Sequence, residues 1–95
     1  MIFALMIDEK DNVAVVTSEV KKGDSLTYKY RGEEKEITAI TDIPIFHKIA
    51  LYDIACGEKV VKYGEHIGEA GADIAAGSWV HVHNVRSVRE NLRNA

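Results

Sequence analysis

An internal repeat is the feature that most constrains the fold of this chain. The segment Asp-Ile-Ala-Cys-Gly-Glu-Lys-Val at 53–60 recurs twenty residues later as Asp-Ile-Ala-Ala-Gly-Ser-Trp-Val at 73–80, and a weaker copy lies at 20–26. In each copy an aliphatic residue precedes a glycine by three positions, and an apolar residue follows the glycine by three. This frame predicts a tight turn in which the aliphatic side chain packs inward, the glycine takes a positive φ, and a strand begins two residues later. Three short, irregularly spaced copies indicate pseudo-symmetry within one small barrel-like β fold rather than a solenoid.

The segments between the turns are rich in Val, Ile and Tyr, which is typical of strands. We expect a first hairpin from residues 3–7 and 13–17, a clear alternating strand at 26–30, and further strands at 36–40, 59–63, 66–70 and 79–85. Pro44 lacks a backbone donor and must lie at an edge or bend. Helical signals are confined to 47–55 and to a capping-box spacing at 87–90. The sequence therefore predicts a mainly β domain over residues 1–85, with one or two short helical turns, and a C-terminal helical turn or linker at 86–95.

Length and composition narrow the classes of function. The 95 residues suit one domain, and the formal net charge of −3, without a basic cluster, disfavours a nucleic-acid role. One cysteine, Cys56, cannot form an intrachain disulfide, and the apolar run at 2–7 is too short, and lacks the basic flank, for a signal peptide. We expect a cytoplasmic protein without a membrane or nucleic-acid partner.

Three histidines and two lysines are the candidate chemical groups. His81 and His83 would share one face of an extended strand, where two imidazoles can bind one cation; the alternative is two partly exposed histidines at a strand edge. Lys62 offers a compact charge for a carboxylate, or is simply a solvated strand lysine. His47 and Lys48, after the bend at Pro44, form a pair that is more typical of a surface than of a site. No nucleotide-binding or hydrolase motif occurs.

Several short segments in order carry a family resemblance. They are His-Lys-Ile-Ala-Leu at 47–51, Lys-Tyr-Gly at 62–64 and His-Val-His-Asn at 81–84, together with Pro44 and the Asp-Ile turns of the repeat. The combination resembles the N-terminal SAF-type domain of the altronate/galactarate dehydratase family, which also includes the small subunit of sulfolactate sulfo-lyase. The resemblance runs from about Asp11 to Asn84, nearly the whole chain. It implies a β-clip fold, a small and highly curved sheet structure.

The resemblance also implies a hydro-lyase that dehydrates a sugar acid such as altronate with a divalent cation, iron or manganese. The large domain that carries most of this chemistry is not part of the sequence, so the chain is either a separately encoded small subunit or a fragment. We expect a small subunit, inactive without a large dehydratase subunit and compatible with homo-oligomers. In this role His47, His81 and His83 are the candidate catalytic residues, and His81 and His83 the candidate metal ligands. Lys48, Lys62 and Asn84 are the candidate groups for binding the hydroxy acid.

Two alternatives stay open at this point. One is the small subunit of a sulfo-lyase acting on sulfolactate. The other is a non-catalytic SAF-type binding module, since similar domains bind ice or cap the active site of another chain. The charged residues at 29–36 argue against an ice-binding face there.

Overall fold

The computed structural model describes residues 2–6, 8, 10–62, 64–81 and 84–87. Over these ranges the chain forms strands and no helix, which confirms the prediction of a mainly β domain. The strands are β1 Ile2–Leu5, β2 Val13–Val16, β3 Ser25–Tyr30, β4 Glu33–Thr38, β5 Lys48–Ala50, β6 Lys59–Lys62, β7 Glu65–Ala70, β8 Trp79–Val80 and β9 Val85–Ser87.

The strands form two small sheets. The larger has the order β4-β3-β1-β2-β5-β8, in which only the β1–β3 pair is parallel, and the smaller has the order β6-β7-β9. The predicted first hairpin is present as β1 and β2. The β3–β4 hairpin closes through Arg31 and Gly32, which both have positive φ, 51° and 81°. Two residues at positive φ match the right-handed twist of the flanking strands.

The repeat forms a recurring turn, here called the turn module: an anchoring aliphatic residue, a tight turn with one positive φ, and the start of a strand. The three glycines of the repeat, Gly23, Gly57 and Gly77, all have φ near 90°. The structure adds a fourth module at 43–49, in which Phe46 occupies the glycine position with φ 67°. The sequence frame missed this module because a phenylalanine replaces the glycine.

The four modules associate as two pseudo-twofold pairs. The anchors meet in isolated antiparallel bridges, Val20 with Ile43 and Ile54 with Ile74. In each pair the backbone N–H at the positive-φ position donates to the carbonyl of the residue four positions before the anchor of the partner module. The four hydrogen bonds, at 2.8–2.9 Å, run from Gly23 to Ala39, Phe46 to Val16, Gly57 to Ala70 and Gly77 to Ala50. Each module is thus closed by its partner as well as by its own turn.

The core is divided between the two module pairs. The first cluster centres on the larger sheet and contains Val16, Val20, Leu26, Ile43 and Ile49, among others. The second contains Val13, Ala50, Ile54, Val60, Ala70, Ile74 and Val80. β5 lies between the clusters because Ile49 packs into the first and its neighbour Ala50 into the second.

Three local predictions need correction. The expected helical turn at 47–55 is wrong: Lys48–Ala50 is strand β5, paired with both β2 and β8, and a turn module follows it. The expected strand at 79–85 is interrupted, because β8 ends at Val80 and an Asn84 N–H to His81 carbonyl bond of 3.0 Å closes a turn. Residues 86 and 87, expected to begin a linker, belong to β9, whereas 88–95 lie outside the described ranges.

Candidate functional site

His47, Trp79 and His81 form a contiguous ring cluster. The rings of His47 and His81 lie 4.8 Å apart between centroids, and the Trp79 indole stacks on His81 at 5.5 Å with an interplanar angle of 9°. The indole meets His47 edge-on, at 5.5 Å and 63°. Trp79 Nε1 donates a hydrogen bond of 3.1 Å to Nδ1 of His47. Two predicted site residues, 34 positions apart in sequence, are therefore brought together.

The pairing of β5 with β8 creates this cluster. Ile49 stands opposite Trp79 in the antiparallel register. His47 immediately precedes β5 and His81 immediately follows β8, so the antiparallel arrangement carries both to the same end of the strand pair. The backbone N–H of Trp79 also donates to Oγ1 of Thr41 at 3.0 Å. The positions of all three rings are thus fixed by strand register and not by loop contacts alone.

Asn84 shapes the turn that follows the cluster. Its Oδ1 accepts the backbone N–H of His81, and its Nδ2 donates to the carbonyl of Trp79, both at 2.9 Å. The side-chain amide thereby holds the backbone on both sides of Val80. β8 ends at Val80, so His81 lies beyond the strand, and the Asn84 N–H donates to the His81 carbonyl at 3.0 Å. His83 itself lies outside the described residues.

Lys48 and Lys62 form a second group of candidate residues. Burial lowers the pKa of Lys48, and the positive charge of Lys62 lowers it further. Lys48 shares a strand face with Ala50, whereas Trp79 packs with the cluster that contains Ile49. Lys48 and the ring cluster therefore lie on opposite faces of β5.

The connection between β1 and β2 anchors β6, the strand that carries Lys62. Asn12 donates through Nδ2 to the carbonyl of Lys59 and accepts the N–H of Val61 through Oδ1, each at 2.8 Å. Asp11, which is 1% exposed, accepts the N–H of Gly64 at 2.7 Å. These polar side chains tie the two sheets together and fix the position of Lys62.

Trp79 is the site residue that the sequence reasoning missed. The sequence predicts only a strand at Trp79, and the copy of the repeat at 53–60 has Lys59 at the corresponding position. A usable signal was present: an indole N–H is a donor only, and a half-buried indole needs an acceptor. The nearby histidines are the natural acceptors.

The donor atoms of this cluster do not by themselves suit a metal ion. Within the part of the chain that the structure describes, no group of three or more His, Cys, Asp or Glu side chains is placed to hold one. Nδ1 of His47 already accepts the indole N–H of Trp79. In the same described part, no helix is long and apolar enough to cross a membrane.

The two sheets, the paired turn modules and the ring cluster define a small mainly β domain with an imidazole–indole site at its surface. The sequence matches the model of the altronate/galactarate dehydratase SAF domain over residues 2–88, and the chain belongs to this family.

Curated relatives are of two kinds. The chain is 42% identical to altronate dehydratase of Escherichia coli over 88 residues, which are 93% of this chain but 17% of that protein. It is 38% identical to altronate dehydratase of Bacillus subtilis, of which it spans 16%. It is also 40% identical to (2R)-sulfolactate sulfo-lyase subunit alpha of Chromohalobacter salexigens, and that match covers 86% of this chain and 90% of that protein. The domain thus occurs both as a small part of a long enzyme and as nearly all of a short subunit.

Proposed function

We propose that this chain is the small subunit of a cytoplasmic hydro-lyase that dehydrates a sugar acid of the altronate type. It contributes part of a composite active site that a large dehydratase subunit completes. The relatives support this proposal: the altronate dehydratases contain the domain as about a sixth of their length, and a sulfo-lyase has a separate subunit of similar size.

The meeting of His47 and His81 is the observation that carries the proposal. Elimination of a β-hydroxyl requires removal of a weakly acidic α-proton and stabilisation of the charge that develops on the carboxylate. Two imidazoles 4.8 Å apart can supply a hydrogen-bond donor and a proton acceptor at such a centre. We assign these roles to His47 and His81, with His83, two residues further along the sequence, as a further candidate.

The lysine pair contributes charge. The lowered pKa of Lys48 reflects its partial burial and then the positive charge of Lys62, and a bound anion would offset both effects. Lys48 and Lys62 attract the negatively charged substrate by long-range electrostatics, because Lys48 lies on the opposite face of β5 from the imidazoles. Asn84 acts by holding the backbone of Trp79 and His81.

A divalent cation, iron or manganese, belongs to the proposed complete enzyme. It would supply Lewis-acid assistance to the departing hydroxyl. His81 and His83 are the candidate ligands from this chain, and further ligands would come from the large subunit.

Reconstitution tests the proposal. The chain is co-expressed with the large dehydratase-like polypeptide of the same organism, and the pair is assayed with altronate, galactarate and sulfolactate in the presence of ferrous or manganous ion. We expect co-purification and turnover of a sugar acid only when both chains are present. His81→Ala should lower kcat at least 10-fold, whereas His66→Ala, on the exposed part of β7, should leave it unchanged.

Three results would contradict the proposed hydro-lyase subunit. Turnover of sulfolactate alone would assign the chain to a sulfo-lyase, the alternative that the sulfo-lyase relative favours. Full activity of the large polypeptide alone would remove the composite site. Binding without turnover of any of the acids would leave a non-catalytic SAF-type module.

A further inference from the structure

The hydrogen bond between Trp79 and His47 determines which nitrogen of His47 carries a proton. An indole N–H only donates, so Nδ1 of His47 must present a lone pair at the 3.1 Å contact. A neutral imidazole has one N–H, which places the proton on Nε2. His47 is half-buried and its ring lies against His81, so its orientation is restricted.

This tautomer, with Nδ1 already accepting the indole N–H, leaves His47 no lone pair for a metal ion. Histidines that bind a metal donate their second ring N–H to a carboxylate, a carbonyl or water, and so bind the metal through the unprotonated nitrogen. With Nδ1 occupied as an acceptor and Nε2 protonated, neither nitrogen of His47 offers a lone pair to a cation. Nε2 instead offers a hydrogen to an oxygen atom.

We propose that Trp79 is a positioning residue that fixes His47 as an Nε2–H donor, so that His47 binds a carboxylate or hydroxyl oxygen of the hydroxy acid and not the metal ion. The identity of the oxygen ligand rests on the proposed function, whereas the tautomer does not. The stacking of Trp79 on His81 lets one indole hold both imidazoles in place.

Nitrogen NMR of the histidine-labelled chain tests the tautomer. The measurement is made at alkaline pH, where an unperturbed imidazole is neutral, and the exposed His66 serves as the internal reference. We expect His47 to show the Nε2–H pattern more completely than His66 does. Trp79→Phe keeps an aromatic ring but removes the N–H, and should shift the tautomer ratio of His47 about fivefold toward that of His66, as expected for one ordinary hydrogen bond. An Nδ1–H pattern in the unmodified chain, or an unchanged ratio in Trp79→Phe, would overturn the inference.

A second pair of variants keeps the test independent of Trp79→Phe. The chain contains one tryptophan, so it gives one indole N–H signal. His47→Gln retains an acceptor and a donor and should preserve the slow solvent exchange of this proton, whereas His47→Leu should lose it. Zinc added to the unmodified chain should leave the His47 tautomer unchanged; a switch to Nδ1–H with Nε2 bound to zinc would contradict the proposal.

The reconstituted complex supplies the readout for ligand binding. His47→Gln should keep KM for the acid within about threefold, and His47→Leu should raise it 10-fold or more. Equal losses in both variants would exclude the donor role even where the tautomer is as expected. Absence of activity in the complex with the expected tautomer would refute the proposed function and leave the inference about Trp79 standing.

Discussion

Asp53 and Asp73 accept hydrogen bonds across the second module pair. Each aspartate directly precedes the anchor of one module, and its carboxylate accepts a backbone N–H of the other module. Oδ1 of Asp73 accepts the N–H of Cys56, and Oδ1 of Asp53 accepts the N–H of Ala76, both at 2.9 Å. In the first module pair Asp42 accepts the N–H of Lys22 at 2.8 Å in the same way, while Glu19 at the fourth position contacts Nζ of Lys21 at 2.7 Å. The acidic residue before the anchor thus serves the partner module at three of the four positions, whereas Glu19 contacts Lys21 of its own module.

The exchange between Asp53 and Asp73 predicts a specific pattern of stability. Asp73→Ala should lower the free energy of unfolding by about 1 kcal/mol, because the Cys56 amide loses a charged acceptor. Asp73→Asn keeps an oxygen at the same place and should recover most of the loss. In urea unfolding the Asp53→Ala, Asp73→Ala double variant should lose less than the sum of the single variants, by about 0.5 kcal/mol or more. An asparagine variant as unstable as the alanine variant would contradict this account.

Gly77 and Gly23 provide a matched comparison of backbone conformation and space. Both have positive φ, 89° and 96°, but a Cβ at Gly77 would overlap the carbonyl oxygen of Thr38, whereas nothing lies within 4 Å at Gly23. Gly23→Ala should therefore cost about 1 kcal/mol from the φ alone. Gly77→Ala should cost about 1–3 kcal/mol more, because the backbone must shift. Equal losses in thermal or urea unfolding would show that the close approach is not important.

Phe46 predicts a stabilising substitution. It is 70% exposed and has φ 67° where the other modules have glycine. A non-glycine residue in this region costs about 1–2 kcal/mol, and the extra freedom of an unfolded glycine offsets about 0.5–1 kcal/mol. Phe46→Gly should raise the free energy of unfolding by up to about 1 kcal/mol. The same change at Phe3, which is 49% exposed on β1, should lower it; a loss in both variants would contradict the prediction.

Lys48 predicts a dependence of stability on pH. Burial and the charge of Lys62 lower its pKa in the folded protein below the ordinary 10.5. The unfolded chain therefore binds the proton of the Lys48 ammonium group more tightly than the folded protein does. The resulting loss in the free energy of unfolding is fully present below the folded pKa and disappears as pH rises toward 10.5. Lys48→Met should stabilise the protein near neutral pH by less than about 1 kcal/mol, because water screens part of the repulsion.

Urea unfolding at a series of pH values checks the Lys48 prediction. The advantage of Lys48→Met over the unmodified chain should shrink as the solution becomes alkaline. Lys29→Met, on the exposed side of β3, is the control and should show no such trend. An advantage that stays constant or grows with pH would exclude the assigned cause.

The turns could be predicted from sequence and their association could not. The glycine frame gave three modules because positive φ restricts the residue type. The fourth was missed because Phe46 takes the same φ without the expected residue. The pairing of modules depends on amide-to-carbonyl bonds between segments far apart in the sequence, such as Gly23 to Ala39. No local pattern encodes these bonds.

In the candidate site, too, the residues could be predicted from sequence but their contacts could not. The spacing with His83 made His81 a candidate and the family resemblance added His47, but their contact follows from the register of Ile49 opposite Trp79. The end of β8 after Val80 was not predicted, because a run of apolar and histidine residues favours a strand and the interruption is stabilised by Asn84. The catalytic roles of His47, His81 and His83 and the substrate-binding roles of Lys48, Lys62 and Asn84 remain predictions.

The division into two module pairs has a consequence for synthesis on the ribosome. The first pair needs only residues up to Ile49, since Val20 bridges Ile43 and Phe46 donates to Val16. The nascent chain can therefore close this half while residues 54–80 are still in the exit tunnel. The second half then folds against a preformed neighbour, and β8, which brings Trp79 and His81 to His47, is the last strand of the larger sheet to be added.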